Sequence, residues 1–522
     1  MTHKLKLLIL YIFTISLVLL NKSALSKNNQ LTFFKKNKKE TKYIEINQKN
    51  DPEITTPEQS KDKKKEIYPW LGTVAEVVSL IEQKSFRDVD FADFIQEALK
   101  AAMPHVDAHS AFFSKESYQE TMESTSGKFS GIGVSVMSKA LEDDTLSIID
   151  VIQNGPADKA GLKAGDKIIQ VSGESLRSLS TDEVINKLKG EVGTDAELKV
   201  VRDKKPLEFK VKRDIIKDQS SICYNITDQN IYYLSLKIFN EPAAKQVKEL
   251  LEKANAGKAN GLILDLRRNP GGILDSAVDM GSLFLPKGSL VLTTKNNAGI
   301  VTTEYKTKTN PVLNSNIPIF ILIDNFTASA AEILAGNLQY YSKKLIDPKT
   351  KKSSLMVFLV GMHSFGKGSV QEVIPISNGC ALKLTTLLYF LPDNISTQAK
   401  GIEPDFLVKP KIIPSEEMQW VEDLYGKESS LKYHITPEEV FGKAPDKKAK
   451  KVKPEEKEKT WEERQKEAIN NDVQVKTSVN LINLFNFAKQ CNPKLVETRE
   501  KTLSFLKQNY LTDELFNINK VE

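Results

Sequence analysis

Between residues 220 and 414, short apolar runs alternate with segments of helical spacing, and this alternation constrains the fold more than any other property of the chain. Residues 231–236, 262–266, 319–323 and 355–360 are apolar at nearly every position, as strands covered on both faces must be. Residues 243–254 and 331–338, lying between such runs, carry apolar side chains at helical intervals. Strand, helix and strand in succession predict an α/β core over 214–414 with a mostly parallel sheet and its chemistry in the loops that leave the strands.

The segments before this core read differently. Residues 127–213 hold short β-rich runs divided by Gly, Asp and Pro, with one helix expected over 180–189, so they predict a small β-rich domain inserted in the chain. Residues 67–126 have helical spacing (Val74, Val77, Val78 and Ile81, then Phe91, Phe94, Ile95 and Leu99) and predict an N-terminal helical region. Residues 27–66 are rich in Lys, Asn, Gln and Glu and predict a polar linker. Residues 415–522 predict a charged linker followed by a C-terminal helical region. The helical flanks are candidate dimerisation or gating elements, which makes a homo-oligomer one expectation.

At the N-terminus, Lys4 and Lys6 precede a largely apolar run over 7–20, followed by Ser23, Ala24 and Ser26. That is the layout of a signal peptide over 1–26, with cleavage expected after Ser26. Fourteen residues are short for a hydrocarbon core about 30 Å thick. The chain is therefore expected to be exported to the periplasm; an uncleaved segment would instead tie it to the inner membrane.

Charge and residue counts exclude several classes. Lys and Arg number 74 against 68 acidic residues, and the lysine runs near 61–65 and 447–453 lie in polar stretches, so no nucleic-acid partner is expected. Cys223, Cys380 and Cys491 follow no metal-binding spacing and are expected as buried thiols, with a single disulfide the other reading. The five histidines contain no H-E-x-x-H pair, and neither a metal nor a cofactor is expected.

Three segments can carry chemistry. The apolar run 319–323 leads into Thr327-Ala328-Ser329-Ala330, putting Ser329 at a strand-to-helix junction with the Ala330 N–H free to donate; the alternative is a plain helix N-cap. Phe365-Gly366-Lys367-Gly368 follows another apolar run, and burial there would turn Lys367 into a base; the alternative is a surface lysine in a glycine turn. Asn269-Pro270-Gly271-Gly272 ends a third run in a glycine pair able to point N–H groups at a ligand, or in a mere β-turn.

Together and in this order, these segments resemble the carboxyl-terminal processing peptidases, or tail-specific proteases. Further matching stretches are Val106-Asp107-Ala108-His109-Ser110, Ala381-Leu382-Lys383-Leu384-Thr385-Thr386 and Gly401-Ile402-Glu403-Pro404-Asp405, so that the likeness runs over 106–408. The resemblance implies a serine endopeptidase with Ser329 as nucleophile, Lys367 as general base and Gln371 positioning that lysine. It also implies an oxyanion hole of the Gly272 and Ala330 N–H groups. The inserted domain then looks like a PDZ domain whose Gly131-Ile132-Gly133-Val134 loop receives a substrate's C-terminal carboxylate while the tail adds as a strand. Expected partners are proteins with free, apolar C-terminal tails.

Departures from the family pattern are an insertion near 344–354, expected at the surface, Tyr340 in place of an aspartate, and Met362 in place of a glutamate. Two other readings stand beside this one. In the first, His363 or His109 with Asp265 forms an ordinary triad with Ser329. In the second, the chain is a catalytically inactive PDZ-containing binding or adaptor protein.

Overall fold

The computed structural model describes residues 59–510 apart from 137–144, 153, 177–178, 180, 203–204, 218–219, 314–316 and 411–460. The signal segment over 1–26, most of the polar linker and the lysine-rich stretch near 447–453 lie outside the described residues. The chain divides into two units at Val89.

The first unit is represented by one helix, α1 (Gln59–Lys84). It begins inside the stretch expected as a polar linker, because Gln, Lys and Glu are good helix formers and polarity alone does not break a helix. Trp70, Leu71 and Val74 are exposed on it.

The second unit opens with α2 (Phe91–Ala102), strand β1 (Ala111–Phe113) and α3 (Lys115–Ser126). Ser114 caps α3, its hydroxyl accepting the Ser117 N–H, and Gly127 ends it in the left-handed conformation (φ 61°). A Cβ at Gly127 would lie 2.7 Å from Pro242, so this turn requires glycine twice over.

The inserted domain follows as β2 (Lys128–Gly131), β3 (Val134–Val136), β4 (Leu146–Val151), α4 (Pro156–Ala160), β5 (Lys167–Val171), β6 (Glu174–Ser175), α5 (Thr181–Leu188), β7 (Asp195–Arg202), β8 (Lys205–Lys212) and β9 (Asp214–Lys217). Its sheet runs β3-β4-β5-β7-β8, with β6 on β5, and β2 pairs with β9 where the chain enters and leaves. Leu146, Ile168, Val184, Val200 and Val211 fill a core of its own. The buried Arg213 guanidinium donates to the Lys187 and Leu188 carbonyls, closing the C-terminus of α5.

The α/β core comprises β10 (Ser221–Asn225), β11 (Ile231–Leu236), α6 (Ala243–Ala256), β12 (Gly261–Asp265), α7 (Leu274–Gly281), β13 (Leu290–Lys295), β14 (Val301–Lys306), β15 (Ile319–Ile323), α8 (Ala330–Lys344), β16 (Val357–Gly361), β17 (Ser369–Pro375), β18 (Ala381–Phe390) and β19 (Phe406–Leu407). One sheet runs β10-β11-β12-β15-β16-β19, parallel except for the β10 edge. A second, antiparallel sheet joins β1, β18, β13 and β14, with β17 also on β18. The apolar runs predicted the first sheet; the second includes β1, from far upstream, and no local pattern announces that partner.

Successive strand residues face opposite sides, and both sides are covered. Leu234, Leu264, Ile321 and Leu359 meet Val247 and Leu251 of α6 and Ile333, Leu334 and Leu338 of α8. Tyr233, Ile263, Phe320, Phe358 and Val360 meet Leu481, Ile482 and Phe485 of α10 (Val473–Cys491), which α9 (Trp461–Asn471) precedes, and Leu506 of α11 (Arg499–Tyr510). The C-terminal helices, expected as a dimerisation or gating flank, are thus a layer of the core. The insertion near 344–354 forms a surface excursion closed by an Ile346–Ser353 bridge. The cysteines are all free, and Cys491 is exposed rather than buried. Among the described residues no helix is long and apolar enough to cross a membrane.

Candidate active site

The loops leaving β12, β15 and β16 come together at the carboxyl ends of the parallel strands. After β15, Asp324 Oδ1 accepts the Phe326 and Thr327 N–H groups at 3.0 Å, folding the chain back toward the sheet. The Thr327 hydroxyl donates to the Leu266 carbonyl at 2.9 Å, and the Ala328 N–H donates to the Asn269 carbonyl at 3.0 Å. The loops after β12 and β15 are therefore stitched to each other before α8 begins.

Ser329 stands at the N-cap of α8 with φ 55° and ψ −118°, a backbone conformation that costs a non-glycine residue about 1–3 kcal/mol. Its N–H donates to Glu332 Oε2 at 2.8 Å. Gly271 stands so close that a Cβ there would lie 2.8 Å from Ser329 Cβ and from the Ala330 nitrogen. Gly272 is held by a parallel bridge to Phe239. Neither the Gly272 nor the Ala330 N–H is engaged by an acceptor among the described residues. Both residues line a cavity of about 680 Å³ together with Ser329, Lys367 and Gln371.

Glu332 was not singled out in the sequence, yet it organises the site. Fully buried, it accepts the Ser364 hydroxyl at 2.6 Å and the N–H groups of Gly366 at 2.7 Å, Lys367 at 2.9 Å and Ser329. Burial pushes its carboxyl above the usual range while these four donors pull it back. Its signal was the Ser-x-x-Glu spacing of a capping box at 329–332.

Lys367 leaves β16 in an extended loop. Its carbonyl accepts from the buried Tyr389 hydroxyl and from Thr397 Oγ1 at 3.1 Å, which fixes its backbone. Its ammonium has no hydrogen-bond or ion-pair partner among the described residues. Burial first, and then the Lys383 ammonium, depress its pKa below the ordinary lysine value, with Glu332 opposing. The Gln371 amide donates to Ser369 Oγ at 2.9 Å and Thr385 Oγ1 at 3.0 Å and makes no bond to Lys367.

The acid and the histidines of the triad reading are not assembled on Ser329. Asp265 accepts from Arg267 at 2.9 Å and from the Tyr233 hydroxyl at 2.7 Å, while Arg267 reaches Asp472 and Gln474 at the start of α10. His363 is exposed, and neither it nor His109 lines the cavity. Tyr340 hydrogen-bonds Asp393 at the surface, and burial and that carboxylate push its phenol up to about 12. Among the described residues no group of His, Cys, Asp and Glu could hold a metal ion.

In the inserted domain the Gly131-Ile132-Gly133 backbone is buried, and Gly133 has φ 77°. The Ile132 and Gly133 N–H groups have no acceptor among the described residues. Val134 opens β3, which among the described residues pairs only with β4, so that its other edge carries no described strand beside this loop.

Residues 230–408 match the model of Peptidase family S41, and residues 119–201 match that of the PDZ domain. The carboxy-terminal-processing protease of Bartonella bacilliformis is 32% identical over 374 residues, covering 70% of this chain and 81% of that protein. The carboxy-terminal processing protease CtpA of Bacillus subtilis is 30% identical over 332 residues, covering 62% of this chain and 66% of that one. Among solved structures, the photosystem II D1 C-terminal processing protease matches at 22% identity and a TM-score of 0.37, over 66% of this chain and 89% of that one. Because the Bartonella bacilliformis protein is 32% identical over 70% of this chain and 81% of its own length, the chain belongs to the carboxy-terminal-processing proteases, serine endopeptidases of family S41 that carry a PDZ domain.

Proposed function

We propose that this peptidase works through a Ser329/Lys367 dyad on exported proteins whose free, apolar C-terminal tails dock on its PDZ domain. The observation that carries the reading is the buried Glu332 carboxylate, which accepts the backbone N–H of both dyad residues at the wall of one cavity. In the reaction, neutral Lys367 takes the proton of Ser329 Oγ as that oxygen attacks the scissile carbonyl. The Gly272 and Ala330 N–H groups stabilise the oxyanion. The lysine ammonium then protonates the leaving amine, and a water activated by the same lysine hydrolyses the acyl-enzyme. Gln371 orients the lysine amine.

The PDZ loop Gly131-Ile132-Gly133-Val134 offers a terminal carboxylate the Ile132 and Gly133 N–H groups, which have no acceptor among the described residues, and the β3 edge without a described strand offers a ladder for the tail. The basic and apolar N-terminus supports export to the periplasm. A histidine triad is disfavoured because Asp265 is committed to Arg267 and Tyr233.

The test compares wild type, Ser329→Ala and Lys367→Ala on an unstructured protein with an apolar tail, with and without a chelator. Cleavage that survives chelation and is lost in both variants supports the dyad; activity retained by Lys367→Ala sinks it. The same substrate with an amidated C-terminus should be cut poorly, and unchanged cutting would remove the carboxylate-docking role.

A further inference from the structure

The polar groups behind Gln371 continue away from the cavity to a residue far upstream in the chain. Thr385 Oγ1, which receives the Gln371 amide at 3.0 Å, lies 3.1 Å from Asp107 Oδ1. Asp107 also accepts the His109 N–H at 2.7 Å, the Ser110 N–H at 2.8 Å and the Ser110 hydroxyl. Ser110 Oγ in turn accepts the Thr385 N–H at 3.2 Å, so the 107–110 turn and β18 are clasped together.

The direction of donation along this chain follows from elementary hydrogen-bond chemistry. An ionised carboxylate can only accept, so the single Thr385 hydroxyl proton must point at Asp107. The hydroxyl can then offer only lone pairs to Gln371, which must turn its NH2 toward Thr385. Ser369 takes the second amide proton. What remains of Gln371 without a partner among the described residues is its Oε1 acceptor, and Gln371 lines the same cavity as Lys367. The Ser110 hydroxyl, more than the other donors, holds the Asp107 carboxyl down to about 2, so the charge that sets this polarity persists at any working pH.

We infer that Asp107 is a positioning residue of the catalytic site, acting through Thr385 to keep the Gln371 amide oxygen, rather than its NH2, available to the lysine amine. The inference rests on the proposed role of Gln371. The other orientation would set two N–H donors against an amine that must accept a proton. The N-terminal segment 107–110 thereby belongs to the active site although it lies ahead of the PDZ domain in the chain.

The experiment measures kcat and KM of the full chain for Asp107→Asn, Thr385→Val, Thr385→Ser, the Asp107→Asn/Thr385→Val pair and Gln371→Ala. Asp107→Asn and Thr385→Val are each expected to lower kcat by roughly 10- to 100-fold with KM unchanged, since a small misplacement of a catalytic group costs that much. The pair should be no slower than the slower single variant, and Thr385→Ser should restore most of the rate lost in Thr385→Val. A wild-type kcat in Thr385→Val, or losses that multiply in the pair, would overturn the inference. Because Thr385→Val leaves the backbone bonds to Asp107 intact, it decides the matter even if Asp107→Asn fails to fold. Full activity of Gln371→Ala would instead remove the role of Gln371 itself, and with it the relay; an impaired Gln371→Ala beside an unimpaired Thr385→Val removes the relay alone.

Discussion

Ser329 and Lys367 donate their backbone N–H groups to the same oxygen, Glu332 Oε2, at 2.8 and 2.9 Å. Residues on different loops are thereby set against each other by one atom. Replacing Glu332 with Gln turns part of that acceptor into a donor and leaves a buried N–H unpaired, at about 1–3 kcal/mol for each orphaned group. Turnover should fall on the order of 100-fold, the scale of a small misplacement, with a lower unfolding midpoint. Wild-type turnover in a folded Glu332→Gln protein would show that the shared anchor does not set the geometry.

The rate should rise with pH as Lys367 loses its proton, at a pH below the ordinary lysine value, because burial and Lys383 both disfavour the ammonium. Removing the neighbouring cation in Lys383→Ala makes protonation easier and raises the Lys367 pKa. The rising limb of kcat/KM should accordingly move to higher pH. An unmoved or lowered limb would exclude Lys383 as a determinant.

The dihedral angles of Ser329 suit glycine. Two variants isolate that cost: Ser329→Ala keeps a Cβ in the positive-φ conformation, whereas Ser329→Gly does not. Glycine should be the more stable of the two by about 1 kcal/mol, read as a shift in denaturant midpoint at constant slope. Equal stability would mean that the Ser329 turn stores no strain.

Arg499 and Asp405 form a buried pair, with two 2.7 Å contacts from one guanidinium nitrogen and a further 3.0 Å bond from Arg499 Nε to the Val357 carbonyl. Arg499→Ala strands the carboxylate inside and should cost about 3–5 kcal/mol. Equilibrium urea unfolding checks this, and activity should be lost in step with the folded fraction.

Local pattern made the parallel strands, the serine junction and the glycine pair legible, because a run such as 319–323 must be buried on both sides and a loop must follow it. Glu332 could have been read from its capping-box spacing but looked like any helix-start glutamate. Thr385 and Asp107 could not be paired by any local rule, since their contact depends on β1 finding β18 across the whole PDZ insertion. The destination of α10 was hidden for a similar reason. An amphipathic face announces that it will be buried, not against what, and 411–460 separates it from the sheet it covers.

That last placement gives synthesis itself a role. When the chain has been made as far as Asp405, the aromatic and branched side chains of Phe320, Leu322, Phe358 and Val360 still lack the helices that cover them, and Asp405 still lacks its arginine. A chain made only that far holds Ser329, Lys367 and Gln371 on a sheet with one face uncovered. Loss of α10 and α11 would therefore bare one whole face of the sheet and strand Asp405, while removing none of the residues proposed for the chemistry.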